Sequence, residues 1–203
     1  MAAMITGDNS ETSAGKYFAR ISQDSLPILQ GLIGRQIHRV YAPCLQVAGA
    51  HIASPSFSVP LSNEIAGKWV HKYVNFRCEW SETPLTLTDW WKILVSVDNK
   101  PCGIEVDSKG AIVAPCTIHF YKSGPIKQIE VFEFEWSAGQ GNEVEAVAYD
   151  NAIRFELEGG NALCIACQLN GPGIATEVHL SEDETTIGQF LEGSRLRIRL
   201  TSM

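Results

Sequence analysis

Polar and apolar residues take turns along most of this chain, in short runs separated by glycine, proline and asparagine. In 70–80, Val74, Phe76, Cys78 and Trp80 alternate with Tyr73, Asn75, Arg77 and Glu79. Ile93, Val95 and Val97 alternate up to the turn Asp98-Asn99-Lys100-Pro101, and Ile104 and Val106 alternate with Glu105 and Asp107 before Ser108-Lys109-Gly110. Phe132, Phe134 and Trp136 oppose Glu133 and Glu135, and Ile153, Phe155 and Leu157 oppose Arg154, Glu156 and Glu158. After Gly159-Gly160, Leu163, Ile165, Cys167 and Leu169 share a face, and Asn170-Gly171-Pro172-Gly173 turns the chain into Ile174, Thr176, Val178 and Leu180. Leu196, Ile198 and Leu200 alternate with Arg195, Arg197 and Arg199 at the end. A period of two is the signature of a strand whose two faces meet different surroundings.

Short strands at this spacing leave no room for the crossover helices of a parallel sheet, so the expected fold is mainly β, an antiparallel sandwich or barrel. At most one or two short helices fit. Ser25-Leu26-Pro27 reads as a helix start, kept short by Gly31 and Gly34, and 185–192 as a second helix. Residues 42–67 hold three prolines and read mostly as loop, with a brief strand near Phe57–Val59. Phe76-Arg77-Cys78-Glu79-Trp80-Ser81 echoes Phe132-Glu133-Phe134-Glu135-Trp136-Ser137. The organisation expected is a flexible tail over 1–15, a first β lobe over 16–123 and a second, acidic lobe over 124–203, as two related lobes or one continuous domain.

The net charge of −7 is uneven. Residues 1–123 carry 11 Lys+Arg and 10 Asp+Glu, a balance of +1, and residues 124–203 carry 5 and 13, a balance of −8. An acidic surface repels phosphates and anionic lipid and attracts cationic partners, which argues against nucleic acid and membrane. No signal peptide or apolar span of roughly 20 residues is visible, so a cytoplasmic location and free thiols are expected for the six cysteines.

Motifs of chemistry are few. Cys164-Ile-Ala-Cys167 has the spacing of a redox or zinc pair, but residues three apart on a strand point to opposite faces. Adding Cys116 and His119 to make a zinc site meets the same objection, and His38, His51, His71, His119 and His179 are scattered. No metal or other cofactor is expected. Glu133 with Glu135 and Glu156 with Glu158 could in principle work as acid and base. Alternation with apolar neighbours already explains them as solvated strand faces. Trp80 and Trp136 lie on apolar faces and are expected in the core, whereas adjacent Trp90 and Trp91 place one ring outward as a contact residue.

The function expected is therefore a non-enzymatic, inhibitor-like protein-binding module for a basic partner. Its contacts would be Glu156, Glu158, Glu182, Asp183, Glu184, Trp90 and Trp91, and no catalytic or metal-binding residue is assigned. The alternatives are a hydrolase pairing Cys116 or Cys44 with His119 or His51, and a homo-oligomer joined through strand edges. The stripe Arg195, Arg197 and Arg199 is expected to pair with neighbouring glutamate-bearing strands.

Overall fold

A computed structural model describes residues 15–65, 68–87, 89–108, 111–113, 115–120, 124–139, 144–167 and 177–202. Almost all of the expected amino-terminal tail (1–14) and the turn at 170–173 lie outside the described residues. In chain order the elements are β1 (Lys16–Ala19), α1 (Leu26–Gln30), β2 (Arg39–Ala42), β3 (Gln46–Ala48), β4 (His51–Ser54) and β5 (Ser56–Ile65). They continue with β6 (Lys68–Glu82), β7 (Asp89–Asp98), β8 (Cys116–His119), β9 (Ile126–Ala138) and β10 (Glu145–Leu157). The last are β11 (Ala162–Cys167), β12 (Val178–Ser181), α2 (Glu184–Phe190) and β13 (Arg195–Thr201).

Two sheets result, neither closed into a barrel. One runs β13-β9-β10-β11-β12-β4-β3, and the other β7-β6-β5-β2-β8. All pairings are antiparallel except β1 on β10. Both β1 and β11 fit on one side of β10 because that strand is long: β1 takes Ala146–Tyr149 and β11 takes Ala152–Glu156, with a register shift between them. The first sheet thus draws β1, β3 and β4 from the front of the chain and the rest from beyond residue 123.

The core lies between the sheets. Phe57, Val74, Phe76 and Ile93 meet Ile129, Val131, Ile153, Phe155, Leu163 and Ile165 there. Phe76 meets Phe155 edge-on, ring centres 6.0 Å apart. Each such side chain contributes roughly 1.5–3 kcal/mol by leaving water. The outer face of β11 is small: Ala162, Cys164 and Ala166 leave room for Ile187 and Phe190 of α2. Asp183 caps that helix, accepting from the Thr186 amide at 2.8 Å and hydroxyl at 2.9 Å.

The hairpin at Gly159-Gly160 uses positive φ values of 98° and 85°, as its glycines imply. Helix α1 begins after Ser25 with proline in its first turn. The Ser25 hydroxyl does not cap it but donates to the Val95 carbonyl at 2.8 Å, fastening the helix to β7.

Two expectations are corrected. The described part of 42–67, residues 42–65, is not mostly loop: it builds β3, β4 and β5. Pro60 is tolerated in β5 because only Ser58 pairs with β2 on that side, through Tyr41, so the missing N–H breaks no ladder there. Around Ile104 and Val106 there is no strand, only an isolated bridge from Val106 to Ile112. The turn before it is pinned instead by buried Asn75, which accepts from the Ser58 hydroxyl (2.7 Å) and the Cys102 amide (3.1 Å). The same side chain donates to Asp98 (2.9 Å) and to the Lys100 carbonyl (3.2 Å).

Candidate docking site

Glu145 opens β10 at one end of the sandwich, and its carboxylate is buried. It accepts from the Thr86 amide (2.7 Å), the Thr86 hydroxyl (2.9 Å), the Leu85 amide (3.2 Å) and the Tyr17 hydroxyl (2.9 Å). Burial pushes its pKa up, but the bonds from Thr86, Tyr17 and Thr83 outweigh that and hold it at about 2. The turn between β6 and β7 is thereby fastened to β10 and β1 of the opposite sheet.

What that turn presents is apolar. Leu85 is 72% exposed and Leu87 64%, and Leu87 takes a φ of 49°, unusual for a residue with a side chain. Trp80, 49% exposed, stands across from Trp91 on β7, and its indole N–H donates to Asp89 at 2.8 Å. Trp136, 44% exposed, pairs with Val147 beside Glu145, and half-exposed Val144 precedes the clamp. Large exposed apolar side chains gathered at one end are uncommon on a surface with no partner.

The rim is acidic. Glu82 and Asp89 stand directly opposite one another on β6 and β7. Like charges so placed destabilise a sheet, and no ion pair among the described residues reaches either one. Nearby, Lys92 is matched by Glu79 at 3.1 Å.

The expected aromatic roles are therefore exchanged. Trp80 and Trp136 are not core residues but half-exposed surface rings, because both lie where the strands run on toward the ends of their hairpins. Trp91 is buried in the core and cannot serve as a contact, while Trp90 is partly buried, 6.3 Å from the Tyr149 ring.

The expected acidic contacts sit elsewhere and are partly engaged. Glu156 pairs with Lys127 at 3.2 Å, Asp183 is occupied by its own helix, and Glu184 lies 3.6 Å from Arg154. Glu158 and Glu182 are exposed.

The arginine stripe meets acids as its alternation implied. Arg195 binds Glu133 at 2.6 Å, Arg199 binds Glu130 at 2.8 Å, and Arg197 binds Asp150. Glu133 departs from the expected solvated face: it is buried, with Arg20 at 2.8 Å on its other oxygen. Burial pushes its pKa up, and the two guanidinium groups more than offset that, leaving it below the ordinary value. Its neighbour Glu135 is exposed and lies 2.6 Å from Lys16.

Cys164 and Cys167 point to opposite sides of β11, the first under α2 and the second between the sheets. Burial pushes the Cys164 thiol up to about 12. Cys116 and His119 bracket one four-residue strand, Cys116 packed toward the core and His119 exposed, and Cys44 is exposed in the loop before β3. Among the described residues, no group of three or more His, Cys, Asp and Glu is placed to hold a metal ion, and no helix is long and apolar enough to cross a membrane.

The Glu145 clamp was invisible to sequence reasoning, since it joins residues about sixty positions apart. The only local signal was the pair of leucines in Pro84-Leu85-Thr86-Leu87, apolar where a turn is usually polar.

Comparison of the chain with family models, with curated proteins and with solved structures finds no match. Its own geometry defines its class, a two-sheet β-sandwich with one helix on an outer face and an apolar, acid-rimmed end.

Proposed function

We propose that this protein is a binding module that captures a basic protein partner on the end formed by Trp80, Leu85, Leu87 and Trp136. The observation that carries this reading is the Glu145 clamp, which holds two exposed leucines in place beside Glu82 and Asp89, neither of which has an ion-pair partner among the described residues. A partner that inserts an apolar side chain among these residues finds them already ordered, and one that brings a lysine or arginine to Glu82 and Asp89 relieves their repulsion. The overall charge of −7 adds attraction at longer range, with exposed Glu158 and Glu182 contributing. Such a module acts by covering its partner, as an inhibitor or neutralising protein does.

The test uses isotope-labelled protein titrated with a synthetic lysine- and arginine-rich peptide carrying a single leucine. Amide shifts are expected over 80–87 and 144–147, weakening as salt rises, and a matched peptide with glutamate in place of the cations should leave the spectrum unchanged. Absence of shifts with the basic peptide, or shifts confined to 156–158 and 182–184, would overturn docking at this end.

A further inference from the structure

Asn75 and Arg77 of β6 face away from the core residues Val74 and Phe76 that alternate with them. The chain after β7 folds back over this outer face and leaves an open cleft of about 470 Å³ beside it. Buried Asn75 is part of its lining and holds the returning segment in place. Its side chain donates to the Lys100 carbonyl at 3.2 Å and accepts the Cys102 amide at 3.1 Å. The Ser56 hydroxyl, on the residue paired with Arg77, donates to the Cys102 carbonyl at 2.9 Å. The cleft is therefore shaped before any ligand arrives.

Two cations line it, Arg77 and Lys100. Both are exposed, and neither has an ion-pair partner among the described residues. Glu79, two residues beyond Arg77 on the same face, is taken by Lys92 at 3.1 Å. Asp98 lies in the same lining. It accepts from Asn75 at 2.9 Å and from the Ser96 hydroxyl at 2.8 Å, both through Oδ2, so Oδ1 keeps its capacity to accept another bond.

We propose that this cleft is a second ligand site, binding a small sugar phosphate with its phosphate between Arg77 and Lys100 and a hydroxyl on Asp98. A phosphate monoester carries nearly two negative charges at neutral pH, which matches two cations rather than one. The planar guanidinium donates to two of its oxygens, and the ammonium supplies a point charge beside the third. Asp98 repels a bare phosphate and serves only a ligand that also brings a hydroxyl to donate. The named strands of this sheet all lie within residues 39–119, so the balance of −8 carried by 124–203 does not fall on them. The site does not depend on the docking end, which begins at Trp80.

The experiment titrates the isotope-labelled full-length protein with ribose 5-phosphate, and separately with ribose and with inorganic phosphate. Ribose 5-phosphate should shift amides over 75–77 and 96–102 saturably. Its dissociation constant should be on the order of 1 mM, the affinity that two charge-assisted contacts support. Inorganic phosphate should bind more weakly, and ribose should cause no shift there. R77M and K100M should each weaken ribose 5-phosphate by about tenfold. Both should keep the wild-type melting temperature, because the side chains removed are exposed and unpaired. Unchanged affinity in either variant, shifts centred elsewhere, or no saturable shift would overturn the site. Ribose or inorganic phosphate binding as tightly as ribose 5-phosphate would overturn the ligand class.

Discussion

The guanidinium of Arg197 reaches from β13 across β9 to grip both carboxylate oxygens of Asp150 on β10, with its Nε donating at 2.6 Å. Asp150 has no exposed surface and also accepts the Ile21 amide at 2.6 Å. Arg197 is the residue left unpaired at the register shift between Leu196 and Ile198 on β13, and Asp150 borders the shift between Asp150 and Ala152 on β10. Such bulges turn side chains out of strict alternation, and here two opposite charges are turned toward each other.

Removing one partner strands the other. R197M should lower stability by about 3–5 kcal/mol, because a buried carboxylate loses its counter-charge. Adding D150L to that variant should recover most of the loss, since both charges are then gone. Urea unfolding of the two variants measures this. A single variant as stable as the wild type would contradict the role given to the pair.

Glu145 makes a prediction in acid. Its folded pKa of about 2 lies below the ordinary 4.5, so the carboxylate binds its proton less readily in the folded state. The stability it contributes is complete above about pH 4.5 and is lost as pH falls toward 2. E145Q should flatten that part of the stability curve. It should also speed hydrogen exchange at the Leu85 and Thr86 amides and weaken binding of the basic peptide, by releasing the turn.

His179 answers in a different pH range. Burial, helped by the neighbouring His51 ring 5.2 Å away, lowers its pKa from the ordinary 6.5 to about 4. The imidazole is buried against Phe190 of α2. The neutral form is favoured in the fold, so its contribution is present above about pH 6.5 and is lost as pH falls through 4. That contribution is on the order of 3 kcal/mol. H179F should therefore lose less stability than the wild type between pH 6.5 and 4 in thermal melts.

The two carboxylates before α2 should separate cleanly. D183A removes the helix cap and should lower the melting temperature by about 2–4 °C. E182K changes an exposed residue and should leave the melting temperature nearly unchanged. Its effect belongs to charge alone: slower association with a basic partner, with a difference that shrinks in high salt.

Alternation determined a good deal of this protein by itself. The hairpin of β10 and β11 and the opposed cysteines of β11 follow from a period of two, because that period is imposed by the backbone, whereas the match of Arg197 to Asp150 needed a break in it. Tertiary structure decided which of the two faces is covered. Along β9, Ile129 and Val131 lie under the opposite sheet, whereas Trp136, nearer the end of the hairpin, is left half in water. Glu133 is buried because Arg20 and Arg195, distant in sequence, both arrive beside it. The same holds for β3 to β5, whose small and proline-bearing segments have weak local preference and become strands by pairing, β5 with β6, β4 with β12, and β3 with β4. Residue order specifies what shares a face, but only the packing of remote segments determines what that face meets.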